Sequence, residues 1–115
     1  MTIQTLQTQL NPRLDVLLRS LKSKLNELYG QRLYSLILFG SQARGEANED
    51  SDIDIMAVLE DPVNVITEIQ RMSDISQSFL DQHGELISII PMSKSRFLDS
   101  AISLIRVVKK EGITL

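Results

Sequence analysis

The chain has 115 residues, of which 43% are hydrophobic, with no cysteine and a formal net charge of −3. These values predict one globular domain over residues 1–115, exclude disulfide bonds and thiolate metal sites, and argue against duplex nucleic acid as a partner. No apolar run approaches the roughly 20 residues of a membrane helix, and the first residues lack the pattern of a secretory signal, so we expect no membrane contact and a cytoplasmic location.

The first third of the chain predicts one long helix and one buried strand. Residues 1–10 are rich in Thr and Gln and are expected to form a short helix or a flexible N-terminal arm. Pro12 suits the first turn of a helix that Gly30 ends. Its apolar face consists of leucines at helical spacing: Leu14, Leu17, Leu18, Leu21, Leu25 and Leu28. Residues 33–39 (LYSLILF) are apolar and aromatic, which is typical of a buried strand.

The remaining elements alternate between strands and helices. Residues 41–51 predict a polar loop with room for a helical turn, and residues 52–59 (DIDIMAVL) predict a second strand. Residues 63–82 predict an amphipathic helix, and we expect its apolar stripe to pack in the core: Val65, Ile69, Met72, Ile75 and Phe79. A third strand is expected over residues 86–90, closed by Pro91, followed by a short helix capped by Ser93 and a last helix ended by Gly112. This order predicts an α/β or α+β domain with at least three strands.

Two aspartates open the second predicted strand. Alternate residues of a strand point to the same side, so Asp52 and Asp54 would place two carboxylates about 6.5–7 Å apart at their Cα atoms. Hard oxygen ligands favour Mg²⁺, which takes the rest of its shell from water and phosphate. The same segment carries three further acids and one arginine, at Glu46, Glu49, Asp50 and Arg44. A divalent cation would offset this repulsion, which indicates a metal site.

A glycine and a serine end the first predicted strand. Gly40 has no side chain, so the backbone there can approach a phosphate, and the Ser41 hydroxyl and nearby N–H groups can donate to phosphate oxygens. Taken alone, Gly-Ser after a strand is more often a plain turn, Asp-x-Asp is more often a solvated turn, and Arg44 is more often a surface residue. The combination of the two motifs favours a nucleotide site.

Gly40-Ser41, ten intervening residues and then Asp52-Ile53-Asp54 resemble the signature of the DNA polymerase beta-like nucleotidyltransferase superfamily. With Ala43-Arg44-Gly45 and Ser51, the string is most similar to the minimal nucleotidyltransferases. The resemblance implies a mixed β-sheet flanked by helices, Mg²⁺ as the cofactor and ATP as the substrate. It implies that Asp52 and Asp54 bind the metal and are catalytic, and that Gly40, Ser41 and Arg44 bind the nucleotide. It also implies a partner, a HEPN-domain ribonuclease toxin that is silenced by transfer of AMP to a tyrosine.

One position departs from the family pattern, which usually has a third carboxylate on a later strand. Glu85 is the only acid near the third predicted strand, whereas Ser88 occupies the expected place. Either Glu85 substitutes, or the partner supplies the base, or activity is weakened. Two functions of different class follow: an adenylyltransferase that acts on a partner protein, and a weakened module that neutralises or scaffolds its partner by binding alone. Transfer to a small molecule is a third reading, but such enzymes generally carry a second domain.

Overall fold

The computed structural model describes residues 4–5, 12–46, 52–99 and 101–115. In chain order, the described helices and strands are β1 (Gln4–Thr5), α1 (Pro12–Tyr29), β2 (Leu33–Phe39), α2 (Ser41–Arg44), β3 (Ile53–Leu59), α3 (Val65–His83), β4 (Ile87–Ser93), α4 (Lys94–Phe97), α5 (Ser103–Glu111) and β5 (Ile113–Thr114). A 3₁₀ turn over Gly30–Arg32 joins α1 to β2. None of the helices in these ranges has the length and apolar character needed to cross a membrane.

The strands form one mixed sheet in the order β1-β5-β2-β3-β4. β2 pairs antiparallel with both β3 and β5, whereas β3 pairs in parallel with β4, and β1 in parallel with β5. The parallel β3–β4 pair needs a crossover, and α3 supplies it. The predicted α/β architecture with a mixed sheet and flanking helices is therefore confirmed.

Helices cover both faces of the sheet. One hydrophobic cluster joins α1 and α3 to side chains such as Leu38, Ile53 and Ile55. A second cluster on the opposite face joins α4 and α5 to Ile37, Phe39 and Met56. The alternation of strand side chains explains this division, because Ile55 and Met56 are neighbours in β3 and point to opposite faces.

Two predicted apolar stripes are only partly buried. In α1 the leucines are buried except Leu28, which is 39% exposed. In α3, Val65 and Ile69 are 46% and 49% exposed, and Glu68 is buried instead at 3% exposure. Glu68 accepts a hydrogen bond from the Tyr29 hydroxyl at 2.8 Å and pairs with two arginines, Arg32 and Arg71. The prediction that Val65 and Ile69 are core residues was wrong, because this ionic network turns Glu68 inward at the start of α3.

The prediction that Pro91 closes the third strand was also wrong. β4 continues through Pro91 to Ser93, and Pro91 pairs in register with Ala57 of β3. β4 forms the edge of the described sheet, where proline is tolerated because only one side of the strand needs ladder hydrogen bonds. The predicted cap is confirmed, since the Ser93 side chain accepts a hydrogen bond from the Arg96 N–H at 3.3 Å.

Two short strands were not predicted. β5 follows Gly112 directly and pairs with Ile37 and Leu38 of β2, and Gln4–Thr5 adds a parallel strand beside it. Gln4 and Thr5 therefore form a strand rather than the predicted helix or flexible arm. The other residues of the range 1–10 lie outside the described part of the chain.

Candidate functional site

The predicted site residues meet at one edge of the sheet, where β2 ends and β3 and β4 begin. Phe39 is the register partner of Asp54 across the antiparallel pair. Asp54 is in turn the partner of Ser88 across the parallel pair. The end of β2, the second aspartate and Ser88 thus lie side by side on three neighbouring strands.

The turn after β2 is built on two glycines. Gly40 has φ 77° and ψ −158°, a conformation that is essentially restricted to glycine. Its carbonyl accepts hydrogen bonds from the N–H groups of Ala43 and Arg44, both at 3.1 Å, which winds Ser41–Arg44 into the helical turn predicted from the sequence. Gly45 ends the turn in the left-handed conformation with φ 72°. Ser41 therefore opens the helical turn that follows β2.

Gly40 lies directly against Asp54. A Cβ atom added to Gly40 would be 2.5 Å from Oδ2 of Asp54, closer than side chains tolerate. The approach of a phosphate to the backbone is one reason for a glycine at this position. The geometry gives a second reason, because the aspartate occupies the space that any larger residue would need.

The two aspartates differ in their surroundings. Asp54 is half-buried, whereas Asp52 immediately precedes β3 and is exposed. Burial raises the pKa of Asp54 above its ordinary value, the charge of Asp52 raises it further, and Arg44 opposes both effects. The pair therefore carries unfavourable negative charge that a cation would relieve.

Arg44 is paired rather than simply solvated. Its Nε donates to Glu46 at 3.2 Å, and its Nη1 donates to Oε1 of Glu111 at 2.9 Å. These contacts raise the pKa of Arg44, and the hydrogen bond to Glu46 makes the largest contribution. Glu111 was not predicted as a neighbour of the site. No sequence signal marks it, since it lies 67 positions from Arg44 and only the fold brings α5 to this edge.

The structure separates the two residues considered for the third carboxylate position. Ser88 lies beside Asp54, as expected from counting along the chain. Glu85 is three residues earlier, and its carboxylate pairs at 3.1 Å with Arg13 of α1. α1 covers the sheet face opposite to the one that Asp54 shares with Met56. Glu85 is thus paired with the helix that packs on the sheet face opposite to Asp54.

The oxygen donors at this edge fit Mg²⁺. Two carboxylates two residues apart supply hard ligands, and burial together with the charge of Asp52 disfavours the charged form of Asp54. Within the described ranges, no group of three or more His, Cys, Asp or Glu side chains could hold a metal. The pair therefore suits an ion that completes its shell with water and phosphate oxygens rather than a closed protein cage.

Comparison with known proteins identifies the family. A sequence profile of the nucleotidyltransferase domain matches residues 18–113. A candidate protein adenylyltransferase of Methanocaldococcus jannaschii is 38% identical over 85 residues, which cover 73% of this chain and 55% of that protein. A second candidate protein adenylyltransferase of the same organism is 36% identical over 78 residues, which cover 68% of each chain. The chain thus spans about half the length of the first relative.

Solved structures share the fold. A candidate nucleotidyltransferase from Sulfolobus solfataricus superimposes with a TM-score of 0.57 at 21% identity, covering 94% of this chain and 89% of that one. A toxin–antitoxin structure with AMP-PNP superimposes with a TM-score of 0.57 at 22% identity, covering 81% and 68% of the two chains. At these sequence identities the solved structures show a shared fold and nothing more. The sequence profile covers most of the chain, and the chain therefore belongs to the nucleotidyltransferase domain family.

Proposed function

We propose that this chain is a Mg²⁺-dependent adenylyltransferase that moves AMP from ATP to a hydroxyl of a partner protein. The observation that carries the proposal is the convergence of Gly40, Ser41 and Asp54 at one sheet edge, with Asp52 two residues before Asp54. The family and the names of the archaeal relatives support nucleotidyl transfer to protein.

Each predicted site residue has a role that its position supports. Asp52 and Asp54 would hold Mg²⁺, which when bound neutralises phosphate charge and assists departure of pyrophosphate. The Ser41 hydroxyl, at the start of the helical turn that follows Gly40, would donate to phosphate oxygens. Arg44 adds a positive charge at the same edge. Its ion pairs with carboxylates keep this charge beside the site before any nucleotide arrives.

In the transfer step, the acceptor oxygen forms a bond to the α-phosphorus of ATP. The bond between the α-phosphorus and the bridging oxygen to the β-phosphorus breaks, and pyrophosphate leaves with that electron pair. The acceptor also loses a proton. Ser88 stands beside Asp54 where a carboxylate base would be useful, and a serine hydroxyl is not a base near neutral pH. The proton therefore passes to water or to a group on the partner.

A toxin is the partner that we propose, specifically a HEPN-domain ribonuclease modified on a tyrosine. The resemblance of the motif to the minimal nucleotidyltransferases supports this choice. Structural neighbours from MntA-HpeT toxin–antitoxin structures have the same fold, with a TM-score of 0.57 for one of them. The cytoplasm is the compartment in which ATP and such a partner would meet this chain.

Transfer of label from α-³²P-ATP to a purified HEPN toxin, with Mg²⁺ present, tests the proposal. We expect the wild-type chain to label the toxin and the toxin Tyr→Phe variant to stay unlabelled. Asp81→Asn, an exposed change on α3 outside the site, is the matched control for Asp54→Asn. No labelling by the wild type, or equal labelling by Asp54→Asn, would overturn the function.

A second function is favoured by one observation, the serine beside Asp54. A chain with a serine in place of the family's third carboxylate could neutralise its partner by binding alone. Toxin inhibition distinguishes the two functions. A contact inhibitor would work equally well without ATP and with Asp52→Asn/Asp54→Asn, whereas an enzyme would need both the nucleotide and the aspartates.

A further inference from the structure

Arg44 is held by carboxylates from two different parts of the chain. Its Nε donates to Glu46 two residues later, and its Nη1 donates to Glu111 at 2.9 Å. Glu46 belongs to the site loop itself, whereas Glu111 is the last residue of α5. The second contact therefore ties the loop that carries the predicted nucleotide site to the C-terminal helix.

The segment that carries Glu111 is tightly seated on the sheet. Gly112 donates its N–H to the Val108 carbonyl at 2.7 Å, which closes the end of α5. A Cβ atom added to Gly112 would lie 2.5 Å from Cγ2 of Ile37, so the backbone lies directly on β2. The next residue, Ile113, pairs in register with Leu38 of β2. Glu111 is thus anchored to β2, the strand that immediately precedes Gly40.

α5 also covers the sheet face that Asp54 shares. Asp54 and Met56 are alternate residues of β3, and Met56 packs in the cluster formed with Ile105 and Val108 of α5. Arg44 is the last residue of α2, which follows Gly40 directly and contacts β3. The Arg44 side chain therefore joins Glu111 to the edge of the sheet where Gly40 lies against Asp54.

We propose that Glu111 is a positioning residue that holds the Arg44 guanidinium beside the aspartates, ready to contact the phosphates of a nucleotide. The proposal rests on the function proposed above. A guanidinium has five N–H donors, so the contacts with Glu46 and Glu111 leave donors for phosphate oxygens. Ordering a long side chain on binding costs conformational entropy and weakens affinity. Because Glu111 already orders the Arg44 side chain in the free protein, less of this entropy is lost when the nucleotide binds.

Calorimetric titration of the full chain with a non-hydrolysable ATP analogue and Mg²⁺ tests this role. We expect Glu111→Gln to weaken the affinity about 2- to 10-fold, the range for immobilising one long side chain. Arg44→Ala should weaken it at least as much, and Glu111→Gln should add nothing in the Arg44→Ala background. Glu60→Gln is the matched control, because it removes an ion pair with Lys94, 3.5 Å away, at the opposite end of β3.

The outcomes separate this proposal from the proposed function. If the wild type does not bind the analogue, the nucleotide site itself is refuted, and Arg44 has no phosphate to contact. If the wild type binds and Glu111→Gln binds equally well or more tightly, only the positioning role is overturned. The positioning role is also overturned if Glu111→Gln lowers the affinity equally in the wild-type and Arg44→Ala backgrounds, because Glu111 would then act independently of Arg44.

A ligand-free measurement gives an independent readout. The ¹⁵N heteronuclear NOE of the Arg44 Nε–H reports how well that side chain is ordered. We expect a lower NOE in Glu111→Gln, an unchanged NOE in Glu60→Gln, and melting temperatures within a few degrees for all variants, since an exposed ion pair contributes little stability. An Arg44 NOE that is the same in Glu111→Gln and the wild type would overturn the positioning role whatever the affinities show.

Discussion

Gly40 packs so closely against Asp54 that a Cβ atom on Gly40 would lie 2.5 Å from Oδ2 of the aspartate. Gly40 also has φ 77°, which disfavours any side chain. Gly40→Ala must therefore move Asp54 and strain the turn, at a cost of about 1–3 kcal/mol for the backbone conformation alone. We expect the melting temperature to fall and affinity for an ATP analogue with Mg²⁺ to fall at least about tenfold, as one displaced ligand would cause.

Gly45→Ala is the matched control for Gly40→Ala. Gly45 has φ 72°, yet nothing lies within 4 Å of a Cβ added there. The Gly45→Ala variant should lose about as much stability as Gly40→Ala but should keep the nucleotide affinity of the wild type. Equal affinity losses for the two variants would show that backbone strain, rather than displacement of Asp54, controls binding.

Asp54→Asn should abolish transfer and stabilise the fold at neutral pH. Burial and Asp52 raise the pKa of Asp54 in the folded chain. An aspartate whose pKa is higher in the folded chain than in the unfolded chain stabilises the fold below the unfolded pKa of about 3.9. This stabilisation is lost as the pH rises through the pKa of the folded chain. The charged aspartate therefore destabilises the fold at pH 7. Thermal melts without metal should show a higher melting temperature for Asp54→Asn at pH 7 and little difference near pH 3. A lower melting temperature at pH 7 contradicts this electrostatic account.

Tyr29→Phe should alter the alkaline stability of the chain. Burial, and then the hydrogen bond to Glu68, raise the pKa of Tyr29 well above its ordinary value. The stability this provides is fully present below the unfolded pKa of about 10 and is lost at higher pH. Tyr29→Phe should cost about 1–3 kcal/mol at pH 7, because buried Glu68 loses a partner. It should also lose stability less steeply above pH 10.

Urea unfolding between pH 7 and pH 11 measures both effects, with Tyr34→Phe as the control. Tyr34 is 43% exposed and lies in β2, so its hydroxyl should contribute little to stability at pH 7. If Tyr29→Phe and the wild type lose stability in parallel above pH 10, the Tyr29 proton is not linked to folding.

Local motifs and periodicity predicted most of the elements and the position of the aspartate pair. The reason is physical: strand alternation and glycine conformation depend on neighbours along the chain, as at Gly40 and Asp54. Features that depend on distant partners were missed. Glu111 reaches Arg44 across 67 positions, and β5 pairs with β2 only after α5 has crossed the sheet.

Periodicity also misjudged burial in α3. A stripe of apolar residues shows which helix face is apolar, but it does not show how much of that face another element covers. Ile69 is 49% exposed, whereas Glu68 beside it is buried by its contacts with Tyr29 and Arg32. Such an ionic network joins three elements and leaves no local pattern in the sequence.

Glu85→Gln should leave transfer within a few-fold of wild type. Glu85 is paired with Arg13 on the α1 side of the sheet, and the Arg13 side chain is 81% exposed. The expected loss of stability is at most about 1 kcal/mol, typical of a solvent-exposed ion pair. A single-turnover measurement with the purified toxin checks the rate. A loss of about 10² or more, the low end for a general base, would return Glu85 to the catalytic candidates.

Ser88→Asp should place a carboxylate beside Asp54. Ser88 is the register partner of Asp54 in the parallel β3–β4 pair and is exposed, so an aspartate there can be accommodated without cavity or clash in the core. Without metal, the third charge should raise the pKa of Asp54 further and lower the melting temperature. With Mg²⁺ we expect the opposite effect, a higher melting temperature, because the ion binds the folded site and stabilises it by mass action.

A base beside the acceptor should raise the single-turnover rate of the Ser88→Asp chain by about tenfold or more, part of the 10²–10⁴-fold that a general base contributes. Ser88→Asn, neutral and of the same shape, should show none of these changes. Metal-dependent melting temperatures and transfer rates for both variants test the idea, and a Ser88→Asp chain that responds to Mg²⁺ no more than Ser88→Asn would show that this position does not face the metal site.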